Sequence, residues 1–196
     1  VVSSEVITLT NTERADNKVG SLADNKLLDS AALAKANDMA AKGYFSHVGP
    51  DGKEPWAWIS AFGYDYQYAG ENLAVKFVDS KDVVNAWMAS PTHRANIVKP
   101  VYKEIGVGVA NGAYQGQSAT FVVQYFGSPV VARSGSGDAK AEKVLGAEVS
   151  PTPASDANFL TNSIQRGIAK ITANPRASST WILGGVAGLL LLLLSL

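Results

Sequence analysis

Cysteine is absent from this 196-residue chain, and histidine occurs only twice. The first absence excludes disulfides, thiolate metal sites and a cysteine nucleophile. The second leaves only His47 and His93 to offer imidazole. Neither sign of charge predominates, with 17 basic against 17 acidic residues. No global basic footprint for nucleic acid exists, so nucleic acid is not an expected partner. At 17% charged residues the chain is not a disordered polyelectrolyte either.

What is present is unevenly distributed. Residues 1–130 carry 11 basic and 13 acidic side chains, and residues 131–196 carry 6 and 4. All seven tyrosines, and every tryptophan except Trp181, fall in the first part. The core-forming aromatics therefore mark residues 1–130 as a folded domain. Residues 131–180 are polar and rich in Ser, Ala and Gly, which reads as a tether. Residues 181–196 read WILGGVAGLLLLLLSL without a charge. As a helix this segment would be about 24 Å long, against about 30 Å of hydrocarbon, and it lacks the polar stripe of a core helix. It is read as a C-terminal hydrophobic helix that anchors the chain in a membrane. The chain opens Val1-Val2-Ser3 rather than with methionine, which suggests a processed chain or a fragment.

Periodicity gives an order of elements. A helix is expected over Val6 to Lys18. A second runs over Lys26 to Lys42, where Leu28, Ala32, Ala36 and Met39 recur at helical spacing and the alanines suit close packing on a sheet. Gly43 ends it. A short helix covers Glu54 to Phe62. A strand follows from Tyr64 through Glu71 to Val75. Asp79 or Ser80 caps another helix, and Ser90-Pro91 starts a short one. Glu104 to Ala110 alternates Ile105, Val107 and Val109 with Gly106 and Gly108, so one face is bulky and the other nearly bare. Ala119 to Phe126 reads as a central strand. Asn111-Gly112 is the hairpin signal between the last two strands. The fold class is α+β, with a small antiparallel sheet covered by helices.

His47 and His93 both fall at element ends, where side chains can converge. Glu71 is a carboxylate in an apolar strand and needs a partner, for which a histidine is the obvious choice. Trp56, Trp58 and Trp87 read as core, and Asn72 as a turn or strand-end hydrogen-bonder. A serine nucleophile at Ser46 or Ser90 is disfavoured, because no strained nucleophile elbow appears.

Seven segments then carry a resemblance. They are Asn11-Thr-Glu-Arg14, Leu28 to Met39, Tyr44-Phe-Ser-His47, Gly70-Glu-Asn-Leu73, Trp87-Met-Ala-Ser-Pro-Thr-His93, Ile105-Gly-Val-Gly108 and Phe121-Val-Val-Gln-Tyr-Phe126. In this order they resemble the CAP superfamily of cysteine-rich secretory proteins, antigen 5 and pathogenesis-related 1 proteins, in its cysteine-free bacterial branch. The resemblance implies an α-β-α sandwich with a central cavity. It places His47, Glu71 and His93 in that cavity. It makes His47 and His93 candidate ligands of a divalent cation such as zinc. The second cavity glutamate of the family falls on Ser90, where a hydroxyl cannot act as a base or an anion. The expected function is a membrane-tethered extracytoplasmic module that binds a lipid, a cell-envelope component, a metal or a protein. The alternative is a metal-assisted, peptidase-like hydrolase in which a histidine activates water and Glu71 orients it. Within this resemblance the missing cysteines do not argue for a reducing compartment.

Overall fold

The computed structural model describes residues 1–130 and 142–149. The expected tether outside 142–149 and the hydrophobic segment 181–196 lie outside the described residues. Among the described residues no helix is long and apolar enough to cross a membrane.

Among the described residues, five helices and five strands follow in chain order. They are α1 (Ser3–Asp16), β1 (Ala23–Asp24), α2 (Lys26–Lys42), α3 (Pro55–Ala61), β2 (Tyr66–Val75), α4 (Ser80–Ala89), α5 (Pro91–Ile97), β3 (Glu104–Tyr114), β4 (Gln117–Pro129) and β5 (Glu142–Val149). The sheet runs β1-β3-β4-β2-β5. Its centre, β3-β4-β2, is antiparallel as expected. Its two outer strands pair in parallel, so the whole sheet is mixed.

Local chemistry sets the helix ends. Asn25 caps α2 by accepting from the amides of Leu27 and Leu28, and Gly43 closes it in the left-handed region at φ 69°. Asp79 caps α4 by accepting from Lys81 and Asp82. Pro91 occupies the first turn of α5, where its missing N–H leaves no bond unmade.

Successive strand residues point to opposite faces, and the sheet divides the core in two. On one face Leu73, Val75, Phe121, Val123 and Tyr125 pack with Leu28, Ala32, Ala36 and Met39 of α2 and with Trp56 and Ile59 of α3. On the other, Ala74, Val122, Phe126, Ile105 and Val107 pack with Val6 of α1, Val83, Val84 and Trp87 of α4, and Ile97 of α5. This is the α-β-α sandwich. The bare face of β3 is where α2 sits. A Cβ on Gly108 would lie 2.1 Å from the Leu33 amide nitrogen, and one on Gly106 would lie 2.2 Å from the Leu28 carbonyl carbon.

Two differences from the sequence reading have physical reasons. The β3–β4 turn is Gln115-Gly116, both at positive φ (53° and 75°), not Asn111-Gly112. Gly112 stays in the strand, paired with Ala119, because α2 reaches that far along the sheet. A Cβ there would come within 2.7 Å of the Ala40 carbonyl. Secondly, residues 142–149, inside the stretch read as a tether, form β5 by pairing with the edge of β2. Such pairing depends on an edge far away in sequence, so local composition did not announce it.

Candidate functional site

The site is built around β2. Glu71 and Asn72 are successive residues, so their side chains enter opposite layers of the sandwich. Both are fully buried.

On the α2 side, Glu71 meets an imidazole and an ammonium. His47 Nδ1 lies 2.5 Å from Oε1. The ammonium of Lys35, on α2, donates to Oε1 at 2.9 Å and pairs with Oε2 at 2.7 Å. The same ammonium donates to the His47 carbonyl at 2.5 Å. Lys35 thus fixes both the carboxylate and the chain segment that carries His47. A carboxylate removed from water requires such compensation. The side chains of Lys35 and Glu71 are wholly buried, whereas that of His47 is 14% exposed. His47 is therefore the member of this cluster that reaches solvent.

On the opposite side Asn72 heads an amide network. Its Nδ2 donates to the His93 carbonyl at 3.3 Å and to Gln124 Oε1 at 3.0 Å. Gln124 donates on to Thr10 of α1 at 2.8 Å. Asn96 donates to Asn72 Oδ1 at 3.0 Å and to the Glu71 carbonyl at 3.1 Å. The His93 ring stacks near Trp87, centroids 6.5 Å apart. Its Nδ1 bonds Ser90 Oγ at 2.7 Å. Ser90 is the N-cap residue of α5 yet makes no side-chain cap bond. Its hydroxyl serves His93 instead. Burial, and then the nearby His47, push the His93 pKa down from 6.5 to about 4, so the ring is neutral at pH 7. Its buried Nε2 has no hydrogen-bond partner among the described residues.

The structure therefore joins His47 to Glu71 directly. It places His93 in the other helical layer, joined to Glu71 through Asn72 and Asn96 rather than by a contact of its own ring. Lys35 was missed in the sequence. Its signal was its register, seven residues after Leu28 and four before Met39, on the buried stripe of α2. Gln124 and Thr10 carried no comparable signal. Trp56 and Trp87 are core as expected, and Trp58 is half-buried with the Lys53 ammonium 3.2 Å from its ring centroid.

A divalent cation would meet two imidazoles here, those of His47 and His93. Zinc in a catalytic site takes three protein ligands. Glu71 is committed to an internal ammonium, while His93 uses Nδ1 on Ser90 and keeps its buried Nε2 for a ligand. Among the described residues no group of three or more His, Asp or Glu is placed to hold a metal ion.

The family model for the cysteine-rich secretory protein family, CAP, matches residues 7–126. The chain belongs to this family. The CAP domain so defined spans α1 to β4 and contains every residue of the site described above. Over 104 residues it is 40% identical to the uncharacterized protein YkwD of Bacillus subtilis (strain 168), a match covering 53% of this chain and 40% of that one. Over 110 residues it is 30% identical to the uncharacterized membrane protein YlbC of the same strain, covering 56% and 32%. The chain thus spans less than half the length of these two relatives. A solved extracellular protein containing an SCP domain, from Bacillus anthracis str. Ames, superposes with TM-score 0.55 at 27% identity, over 64% of this chain and 39% of that one. CAP membership and the sandwich fold agree with the expectation from the ordered motifs.

Proposed function

We propose that this CAP-domain protein is a membrane-tethered, extracytoplasmic binding module, with residues 181–196 as its anchor and a lipid or cell-envelope component as its ligand. The observation that carries the binding half is the Lys35–Glu71 pair. A general base must be free to take a proton from a reacting group. Glu71 is instead wrapped by an ammonium and an imidazole, and Ser90 stands where a second carboxylate would complete an acid–base set. The cluster fixes the His47 ring, whose side chain is 14% exposed although its Nε2 is buried. The names of YlbC, a membrane protein, and of the Bacillus anthracis protein, an extracellular one, support the location.

The experiment compares the full chain with His47→Ala for casein cleavage with and without added zinc, and compares a chain ending at Thr180 with its own His47→Ala variant for binding to vesicles of phosphatidylglycerol. Binding that weakens in His47→Ala, without turnover in either protein, is expected. Zinc-dependent cleavage lost in His47→Ala overturns the reading. The tether is read by fractionation. The full chain should sediment with membranes, and a chain ending at Thr180 should not.

A second reading, the metal-assisted hydrolase, draws on the buried Nε2 of His93. That nitrogen would serve a reacting water or a ligand equally, and the same cleavage assay decides between them.

A further inference from the structure

β5 follows the CAP match, which ends at residue 126. Without it the sheet β1-β3-β4-β2 would end in β2 with an unpaired edge. β5 fills that edge in parallel, from Tyr68 opposite Glu142 to Ala74 opposite Val149.

The fit is selective at one point. Leu145 faces Glu71 and Glu148 faces Leu73, so Gly146 and Ala147 together stand opposite Asn72, as a bulge. A Cβ on Gly146 would lie 2.3 Å from Asn72 Oδ1, 3.0 Å from His93 Cδ2 and 3.1 Å from the Glu71 carbonyl. Asn72 cannot swing aside, because Gln124, Asn96 and the His93 carbonyl hold its amide. Only glycine passes over this floor. Two charges steer the start of the strand. Glu142 pairs with Lys99 at 2.6 Å, and the Lys143 ammonium lies 5.7 Å from the Trp56 ring centroid.

The attachment is shallow nonetheless. Glu142 and Lys143 are exposed, Leu145 is 40% exposed, and Val144 is half-buried. The outer side of β5 pairs with no other strand among the described residues. Over residues 142–146, backbone ladder bonds, the glycine contact, the Glu142–Lys99 pair and packing against α5 hold it. Edge strands that begin with exposed side chains lie at the low end of local stability.

We propose that the outer edge of β2, floored by Asn72 and His93, is a binding site for an extended peptide with glycine at the bulge, and that β5 is its resident, exchangeable occupant. Strand addition supplies affinity through main-chain bonds, and the glycine passage supplies specificity. The inference goes beyond the ligand of the His47 cluster and stands on the β2–β5 pairing alone.

The test uses the full chain and a fluorescein-labelled synthetic peptide of residues 141–150, followed by anisotropy. In the unaltered chain β5 competes from the same molecule and the peptide binds weakly. Gly146→Val in the chain should expel β5, so the peptide binds roughly tenfold tighter or more. Amide exchange along β2 should rise in that variant and fall again on adding peptide. A peptide carrying the same Gly146→Val change should bind neither chain. A charge exchange provides a second, gentler variant. Lys99→Glu in the chain should admit a peptide carrying Glu142→Lys in preference to the native peptide. A folded Gly146→Val chain that fails to bind the native peptide overturns the proposal. Equal binding of the native and Gly146→Val peptides does so as well, as does a Lys99→Glu chain indifferent to the peptide's charge.

Discussion

The Lys35 ammonium lies 2.7 Å from Oε2 and 2.9 Å from Oε1 of Glu71, with both side chains wholly buried between α2 and β2. Each partner is the other's compensation for lost water. Removing one should cost far more than removing both. Lys35→Met is expected to lower unfolding free energy by about 3–5 kcal/mol, and Glu71→Leu by a similar amount. The double variant Lys35→Met/Glu71→Leu should recover most of that loss. Urea titration of the four proteins gives the cycle. Additive losses would show that the two groups do not depend on each other.

His93 should make stability fall as the medium becomes mildly acidic. Its folded-state pKa is about 4, below the ordinary 6.5. Between these values the unfolded chain binds a proton that the folded chain refuses. The contribution is therefore complete above about pH 6.5 and is lost as pH falls toward 4, with a slope of up to about 1.4 kcal/mol per pH unit. His93→Gln keeps a polar group beside Ser90 but does not titrate there. Its stability, measured by urea titration from pH 7 to pH 4, should lack that slope relative to the unaltered chain. Parallel pH curves for the two proteins would place the effect elsewhere.

Much of this architecture was legible in the sequence, and the exceptions share a cause. The alanines of α2 and the glycines of β3 announced one close interface from both sides, because close approach demands small residues on each. A histidine partner for Glu71 followed from a carboxylate in an apolar strand, while the family resemblance, not the pattern, put His47 in its cavity. Lys35 was overlooked because a lysine is usually exposed, even when its register places it on an apolar stripe. The Asn111-Gly112 signal misled because turn propensity is local, whereas the length of α2 over the sheet decides where β3 ends. β5 was hidden for the same reason, since its partner lies some seventy residues earlier, at Tyr68 to Ala74.

The α2–β3 interface makes the glycines of β3 sensitive to a single methyl group. At Gly108 the added Cβ would meet the α2 backbone at 2.1 Å, and backbone cannot step aside as a side chain can. Gly108→Ala should destabilise by about 1–3 kcal/mol or more through overpacking. At Gly20 a Cβ meets nothing within 4 Å. Gly20→Ala should stay within about 0.5 kcal/mol of the unaltered protein. Thermal unfolding of the two variants side by side tests the claim, and equal melting points would contradict the tight contact.

Arg14 closes the other side of the molecule. It extends the stripe Val6, Thr10, Arg14 of α1 and is 1% exposed. Its Nε donates to the Gly20 carbonyl at 2.8 Å. Its Nη1 donates to the carbonyls of Ile97 at 2.7 Å and Lys99 at 3.0 Å, and its Nη2 reaches that of Tyr102 at 3.4 Å. One planar fork thus ties the end of α1 to the segment between α5 and β3. A lysine keeps the charge but places its donors at a single point, so it cannot span carbonyls on both sides of the fork. Each buried carbonyl left without a donor costs about 1–3 kcal/mol. Arg14→Lys is therefore expected to be nearly as damaging as Arg14→Met, although it is the conservative change. Amide exchange should also quicken selectively at Lys99 and Lys103, whose N–H groups donate to the Asn96 and Gly127 carbonyls, before the rest of the domain. A lysine variant with native melting temperature and native exchange at these amides would show that the charge, not the fork, holds this corner together.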